Sequence, residues 1–387
     1  MKRIPAIDTL RGLVMIIMAL DHVRDFMHIH SIQQSPTDLH TTTTALFLTR
    51  WITHFCAPIF VFLAGSSAYF MLKNAGDFKR AQTHLWKRGL CLLVLEFSLV
   101  NFALYFDMGF HMVLFEVIAS TGLGFIFLSS MLKLPSPYLG AAGMAIICFH
   151  SLFQYIPFVE ISIWKTVLTP FFNPTAIPLL PGKMFVMAYP PIPWLGILLI
   201  GFSCARFFEY APDKQRRVFG TLGLGCLLVF TIVRYTNSYG DAMPWSGQKD
   251  GLFTFFSFIN VTKYPPSFLF CLLTLGTMFL LLALIDRLGK AFQTICKVYG
   301  SAPLFYFIVH FYFIHVLTLG MLWLQGFDWA SFDFAHATFG RPIGVVSGLS
   351  LWGIYGVWLF VVAALYRPCL WFSRYKSTHQ TWWLRYI

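Results

Sequence analysis

Apolar residues run along this chain in blocks of roughly 17 to 25, the length a helix needs to cross the hydrocarbon core of a bilayer. The blocks fall near residues 9–28, 51–72, 89–106, 112–132, 138–156, 191–208, 218–235, 266–286, 301–320 and 343–366. They predict an all-α fold, a polytopic transmembrane bundle of about ten helices. No soluble module, long linker or low-complexity tract separates them, so residues 1–387 read as a single integral-membrane domain. A cleavable signal peptide is not expected, because the first block leads into charged residues and no small-residue cleavage site follows.

Composition agrees: 57% of the residues are hydrophobic and 11% charged, with a mean hydropathy of +0.68, which excludes an ordinary soluble domain. The net charge of +12 changes the picture only through its placement. If the N-terminus is cytoplasmic, about twenty of the 28 basic residues fall on one side, in alternate connections. Examples are Lys2 and Arg3, the cluster Lys73, Lys79, Arg80, Lys87 and Arg88, and later Lys214, Arg216 and Arg217. That is the positive-inside bias, and it puts both termini in the cytoplasm rather than pointing to a nucleic-acid partner. The segments near 29–50, 107–111, 157–190, 236–265 and 321–342 then face outward. The eight cysteines lie in or beside the spans, so neither a disulfide scaffold nor a zinc ribbon is indicated, and no metal is expected.

One block breaks the pattern. In "LVMIIMALDHVRDFMHIH", residues 13–30, the second half carries Asp21, His22, Arg24, Asp25, His28 and His30. At about 1.5 Å per residue from Asp8, Asp21 and His22 lie roughly 20 Å into the membrane. Asp21, Arg24, Asp25 and His28 follow i, i+3, i+4, i+7 spacing and are expected to stack on one helix face, with His22 about 100° away. A charge at that depth costs a few kcal/mol, so the face must meet protein or a wet cavity. An internally neutral salt-bridge set would account for two acids and one arginine. The added histidines point instead to function.

Other polar positions are placed to meet this face. Arg50 and His54 sit at the outer end of the second span, and Gly65, Ser66 and Ser67 form a small-residue patch near its inner end. His310 and His315 fall in the ninth span, Glu96 and Asn101 in the third, and Glu116 at the start of the fourth. "YPPIPWLG" at 189 and "YPPSFLFC" at 264 echo each other, which proline in a first turn and an interfacial aromatic largely explain.

"IDTLRGLVMIIMALDH" followed by "APIFVFLAGSSA" resembles the start of the membrane acetyltransferases typified by heparan-α-glucosaminide N-acetyltransferase, and more closely a bacterial branch of that superfamily. The likeness rests on Asp8, Thr9, Arg11 and Gly12, then on Pro58, Phe60, Val61, Phe62, Gly65, Ser66 and Ser67. It continues in "YPPIPWLGILLIGF", "KYPPSFLF" and "SAPLFYFIVHFYFIH". The resemblance implies transfer of an acyl group, usually acetyl, from cytoplasmic acyl-CoA to an acceptor across the membrane, here the bacterial inner membrane. In the lysosomal relative an asparagine late in the first helix precedes a catalytic histidine just beyond it. His22 stands at the asparagine's position, and the histidine maps onto His28 or His30, with His28 preferred because it shares the Asp21 and Asp25 face.

The residues support that chemistry on their own. Acyl transfer from a thioester needs a base near neutral pKa, and histidine beside a carboxylate supplies one. Asp25 is expected to orient His28, while Arg24 pairs with the acids or polarises the thioester carbonyl. Direct attack and an acylated histidine both remain open. Arg50, His54 and His310 are candidates for substrate binding. Coenzyme A carries phosphates, so Arg80, Lys87 and Arg88, with Arg11 deeper, are candidates for holding acyl-CoA, although positive-inside topology also accounts for each. "GDAMPWSGQKDG" and "FDWASFDFAHATFGR" suit a sugar or an aromatic belt equally, and a cell-envelope glycan or glycolipid is the expected acceptor. Oligomeric state stays open. The competing reading is a proton-coupled transporter using the same Asp and His residues.

Overall fold

The computed structural model describes residues 4–155, 163–379 and 381–386, so Lys2 and Arg3 lie outside the described residues. The chain opens with α1 (Pro5–Met27), whose proline sits in the first turn, where its missing N–H is not needed. α2 (Thr44–Thr53) and α3 (Cys56–Ala75) form one apolar element interrupted at His54 and Phe55. Gly76, at φ +68, ends α3, and the Asp77 carboxylate caps α4 (Phe78–Leu95) by accepting from the amides of Lys79 and Arg80. A π-helical turn, Glu96–Val100, carries α4 into α5 (Asn101–Tyr105).

A strand, β1 (Met112–Phe115), precedes α6 (Val117–Met131) and α7 (Ser136–Phe149). After α8 (Ile163–Phe172) come β2 (Thr175–Leu180) and β3 (Lys183–Met187). The three strands form a sheet in the order β1-β3-β2, with β1 and β3 parallel and β2 and β3 antiparallel. Residues 112–115, expected to begin a helical span, are therefore strand. A four-residue apolar run does not by itself choose between the two. The rest is α9 (Pro191–Cys204), α10 (Pro212–Thr236), α11 (Gly251–Ile259), α12 (Phe268–Leu284), α13 (Lys290–Ser301), α14 (Pro303–Leu324) and α15 (Leu351–Thr378).

Among the described residues eight helical elements are long and apolar enough to cross a membrane, and α1 and α6 occupy the other two predicted positions. α6 is short, and α1 carries Asp8, Arg11, Asp21, Arg24 and Asp25. The fold is a polytopic helical bundle. Its basic end, with Arg11 and the α3–α4 connection, is called inner here and the opposite end outer.

α1 runs through the centre, packed against α2, α3, α13, α14 and α15. Its inner half is held by backbone contact. A Cβ at Gly12 would stand 1.7 Å from the Cys296 carbonyl oxygen, and one at Gly300 would stand 1.9 Å from that of Asp8. Gly65 and Gly201 interlock α3 with α9 in the same way, and the Ser66 hydroxyl donates to the Gly201 carbonyl at 2.9 Å. The small-residue patch read from the sequence is thus the place where two backbones meet.

Candidate active site

The outer half is built differently. Asp21, on α1, takes Arg24 at 2.7 Å, the Thr53 hydroxyl at 2.9 Å and a close ion pair from Arg50. Both of its oxygens are occupied, which ties α1 to α2. Asp25 pairs through Oδ1 with the same Arg24 nitrogen at 2.6 Å, and its side chain is 42% exposed. The salt-bridge set foreseen from the sequence is present, with Arg50 as an added member.

Next to it lies a cavity of about 130 Å³ whose polar lining includes Asp21, His22, Asp25, Arg50, Glu116 and Lys263. That space is enough for several ordered waters or for the reacting ends of two molecules. Phe26, Phe307 and Phe311 form part of its apolar wall. The His22 ring stacks on Phe311 at 4.3 Å between centroids.

A chain of hydrogen bonds sets the state of His22. His310 Nδ1 is 2.9 Å from the Tyr306 carbonyl oxygen, which can only accept, so Nδ1 carries the proton. His310 Nε2 is then the acceptor toward His22 Nδ1, 2.6 Å away. In the neutral pair His22 is therefore the Nδ1–H tautomer, and its Nε2 lone pair has no protein partner among the described residues.

His28 is placed elsewhere. α1 ends at Met27, and His28, at φ −70 and ψ 135, caps it with its amide still bonded to the Arg24 carbonyl; among the described residues no hydrogen bond or ion pair joins its ring to Asp25. The outer loop holds this turn. Arg341 donates to the His28 carbonyl at 2.9 Å and to that of Ile29 at 3.2 Å, and the Ile29 amide donates to Leu349 at 3.1 Å. The His28 ring accepts from the His30 amide at 3.4 Å and does not line the cavity.

Other candidates separate in the same way. His54 is buried at the α2–α3 break, near Phe270 and outside the cavity lining. His315 donates to the Ala103 carbonyl at 2.9 Å and stacks on Phe106, a packing role. Arg11 donates to Ser67 and to the Gly300 carbonyl, Arg88 lies over the Phe125 ring, and Arg80 and Lys87 are exposed. None of these four lines the cavity.

Glu116, which the sequence placed to meet this face without a role, and residues it did not single out complete the wall. Glu116 enters because the buried Glu96 carboxylate, presented by the π-helical turn, accepts the amides of Glu116 and Ala119 and so fixes the start of α6. Tyr189 and Tyr264, the two tyrosines of the repeated "YPP", meet at the cavity with hydroxyls 3.3 Å apart. The echo was the available signal for them. Lys263, immediately before the second tyrosine, gave none.

The family model described as heparan-alpha-glucosaminide N-acetyltransferase, catalytic, matches residues 3–229. The chain belongs to this family. No curated protein matches it. Membership in the heparan-alpha-glucosaminide N-acetyltransferase family makes the chain a multi-pass membrane protein of acetyltransferase type. The matched segment runs from α1 into α10 and holds Asp21, His22, Asp25, Arg50 and Glu116, whereas Lys263 and His310 come from the remainder.

Proposed function

We propose that this protein moves an acetyl group from acyl-CoA supplied on the cytoplasmic side to a hydroxyl or amine of an extracytoplasmic glycan or glycolipid, with the reaction taking place in the cavity beside His22. The tautomer imposed by His310 carries this reading. A histidine whose Nδ1–H is held by a fixed acceptor presents Nε2 as a base, the arrangement used wherever an imidazole takes a proton from a nucleophile. The nucleophile attacks the thioester carbon, its proton goes to His22 Nε2, and CoA leaves as the thiol after receiving that proton. Asp25, with one carboxylate oxygen free of Arg24, stabilises the protonated ring from across the cavity. Asp21 and Arg50 hold α1 against α2 and keep the chamber open. Arg11, Arg80, Lys87 and Arg88 favour the approach of the CoA phosphates at the basic end.

The full chain, purified in detergent and given acetyl-labelled acetyl-CoA, is expected to release CoA thiol and to pass label to water or to a membrane-glycan extract. Loss of that turnover in His22→Ala, with folded protein retained, is the expected result. Solute flux in liposomes that needs no CoA, together with no thioester turnover, would overturn the reading in favour of transport.

A further inference from the structure

Lys263 is 8% exposed, yet among the described residues it forms neither an ion pair nor a hydrogen bond. Among the described residues its Nζ lies over two aromatic faces, 5.8 Å from the Tyr189 ring centre and 5.0 Å from that of Tyr264, while the carboxylates of Glu116 and Asp21, which line the same cavity, stay beyond ion-pair distance. A buried ammonium is costly unless something compensates it, and cation–π contact at this distance supplies only part of that. Of the other two cations of the cluster, Arg50 is paired with Asp21, and Arg24, which holds both aspartates through one nitrogen, does not line the cavity. Lys263 therefore brings three uncommitted N–H donors to the cavity that His22 also lines.

The turn that carries it is rigidly held. The Asp241 carboxylate accepts from the Thr262 amide and hydroxyl, both at 2.8 Å, and from the Ser267 hydroxyl at 2.6 Å, bracketing Lys263 on both sides. Arg234 is fully buried and donates to the carbonyls of Met243, Ser257, Phe258 and Asn260, closing the loop that leads in. Beside Lys263, one tyrosine hydroxyl of the Tyr189–Tyr264 pair must donate to the other, which leaves one O–H directed elsewhere. Preorganised donors around a small, desolvated volume are what a developing oxyanion requires.

We propose that Lys263, assisted by the remaining tyrosine O–H, is the catalytic residue that stabilises the oxyanion of the acyl-transfer step. This rests on the acyl-transfer reading above. As the acceptor oxygen or nitrogen bonds to the thioester carbon, the carbonyl π pair moves onto oxygen, and that oxygen receives hydrogen bonds from Lys263 Nζ. The acceptor proton passes to His22 Nε2. When the carbonyl re-forms, the C–S bond breaks, and the CoA sulfur takes the proton back from His22. Charge is balanced at each stage.

Two readouts on the full chain in detergent test this. The first is binding of carboxymethyl-CoA, whose carboxylate lies one methylene from sulfur, against carbamoylmethyl-CoA, its neutral amide isostere. Wild type is expected to prefer the anionic probe by about tenfold, the range of a hydrogen bond to a charged group. Lys263→Met abolishes the preference and Lys263→Arg keeps part of it. Lys263→Gln replaces the methionine variant if that one does not fold. The second readout is turnover, where Lys263→Met is expected to lower kcat about 100-fold with KM for acetyl-CoA little changed. A wild type without the preference, or a methionine or glutamine variant that keeps both preference and kcat, overturns the assignment. A wild type that prefers the anion but turns over no thioester overturns the acyl-transfer reading, and the catalytic role with it.

Discussion

The two ends of α1 are built from opposite kinds of residue. At the inner end Gly12 and Gly300 let α1 and α13 touch backbone to backbone, and no side chain or water fits between them. Thirteen residues from Asp8, where the helix reaches Asp21, the same helix faces a void ringed by acids, cations and histidine. Glycine contact maximises dispersion and needs no polar partner. Ionisable groups at membrane depth persist only when paired or wetted, and here Asp21 is saturated while His22 and Lys263 keep unused polar atoms toward the cavity. One helix thus serves as a packing spine at one end and as a cavity wall at the other. Substitutions at the inner end should act on folding and those at His22 on chemistry.

The strongest test of the contrast is Gly12→Val. Its Cβ would overlap the Cys296 carbonyl, a backbone atom that cannot swing away, so a loss of more than about 3 kcal/mol is expected. Size-exclusion yield and thermal melting would show it as absence of monodisperse protein, and wild-type behaviour would break the comparison. Asp21→Asn comes next. It leaves Arg24 and Arg50 buried against a neutral group, at about 3–5 kcal/mol by analogy with broken buried pairs. This effect on melting sharpens the contrast, because it marks Asp21 as the outer half's structural anchor. A melting temperature unchanged from wild type would return Asp21 to the list of free acids.

His22→Asn is expected to leave melting intact and to lower acetyl-CoA turnover by about 10²- to 10⁴-fold, the usual worth of a positioned base. His28→Ala measured beside it is expected to change turnover much less, because His28 lies outside the cavity lining. The reverse ranking would restore the base to the position that the family resemblance first suggested.

The fold was largely legible because apolar block length is a property of the chain alone, and each of the ten blocks corresponds to a helix. The first-helix cluster was legible for the same reason, since spacing along one helix puts Asp21 and Asp25 on Arg24. The errors arose where distant chain decides local structure. His28 was read one residue past the true end of α1, and that end is set by Arg341 and Leu349, more than 300 residues away. Lys263 looked like a loop lysine, and only the bonds from Arg234 and Asp241 turn it inward. The pairing of His22 with His310 spans 288 positions and has no local trace. β1 was lost because four apolar residues beside a true span extend its hydropathy without changing it.

The smallest expected effect separates membrane-depth charges from those in water. Asp107 lies in the outer connection just after α5, where its carboxylate accepts from the amides of Gly109 at 2.8 Å and His111 at 2.6 Å and from the His111 ring at 2.9 Å. Burial pushes this carboxyl up, but the His111 and Gly109 amides and the His111 ring outweigh it, and its pKa is held below the ordinary 3.8. A depressed folded-state pKa means the stabilisation is complete above the unfolded value and is lost as pH falls through the folded one. Wild type should therefore melt slightly higher than Asp107→Asn near neutrality, by under about 2 °C, and the gap should close only below about pH 3.8. Melting curves of both proteins from pH 6 to about pH 3 give the comparison, within the range where an ordinary carboxylate titrates. A gap that stays constant over that range would mean the loop is held by shape alone, and that its charge contributes nothing to the outer half.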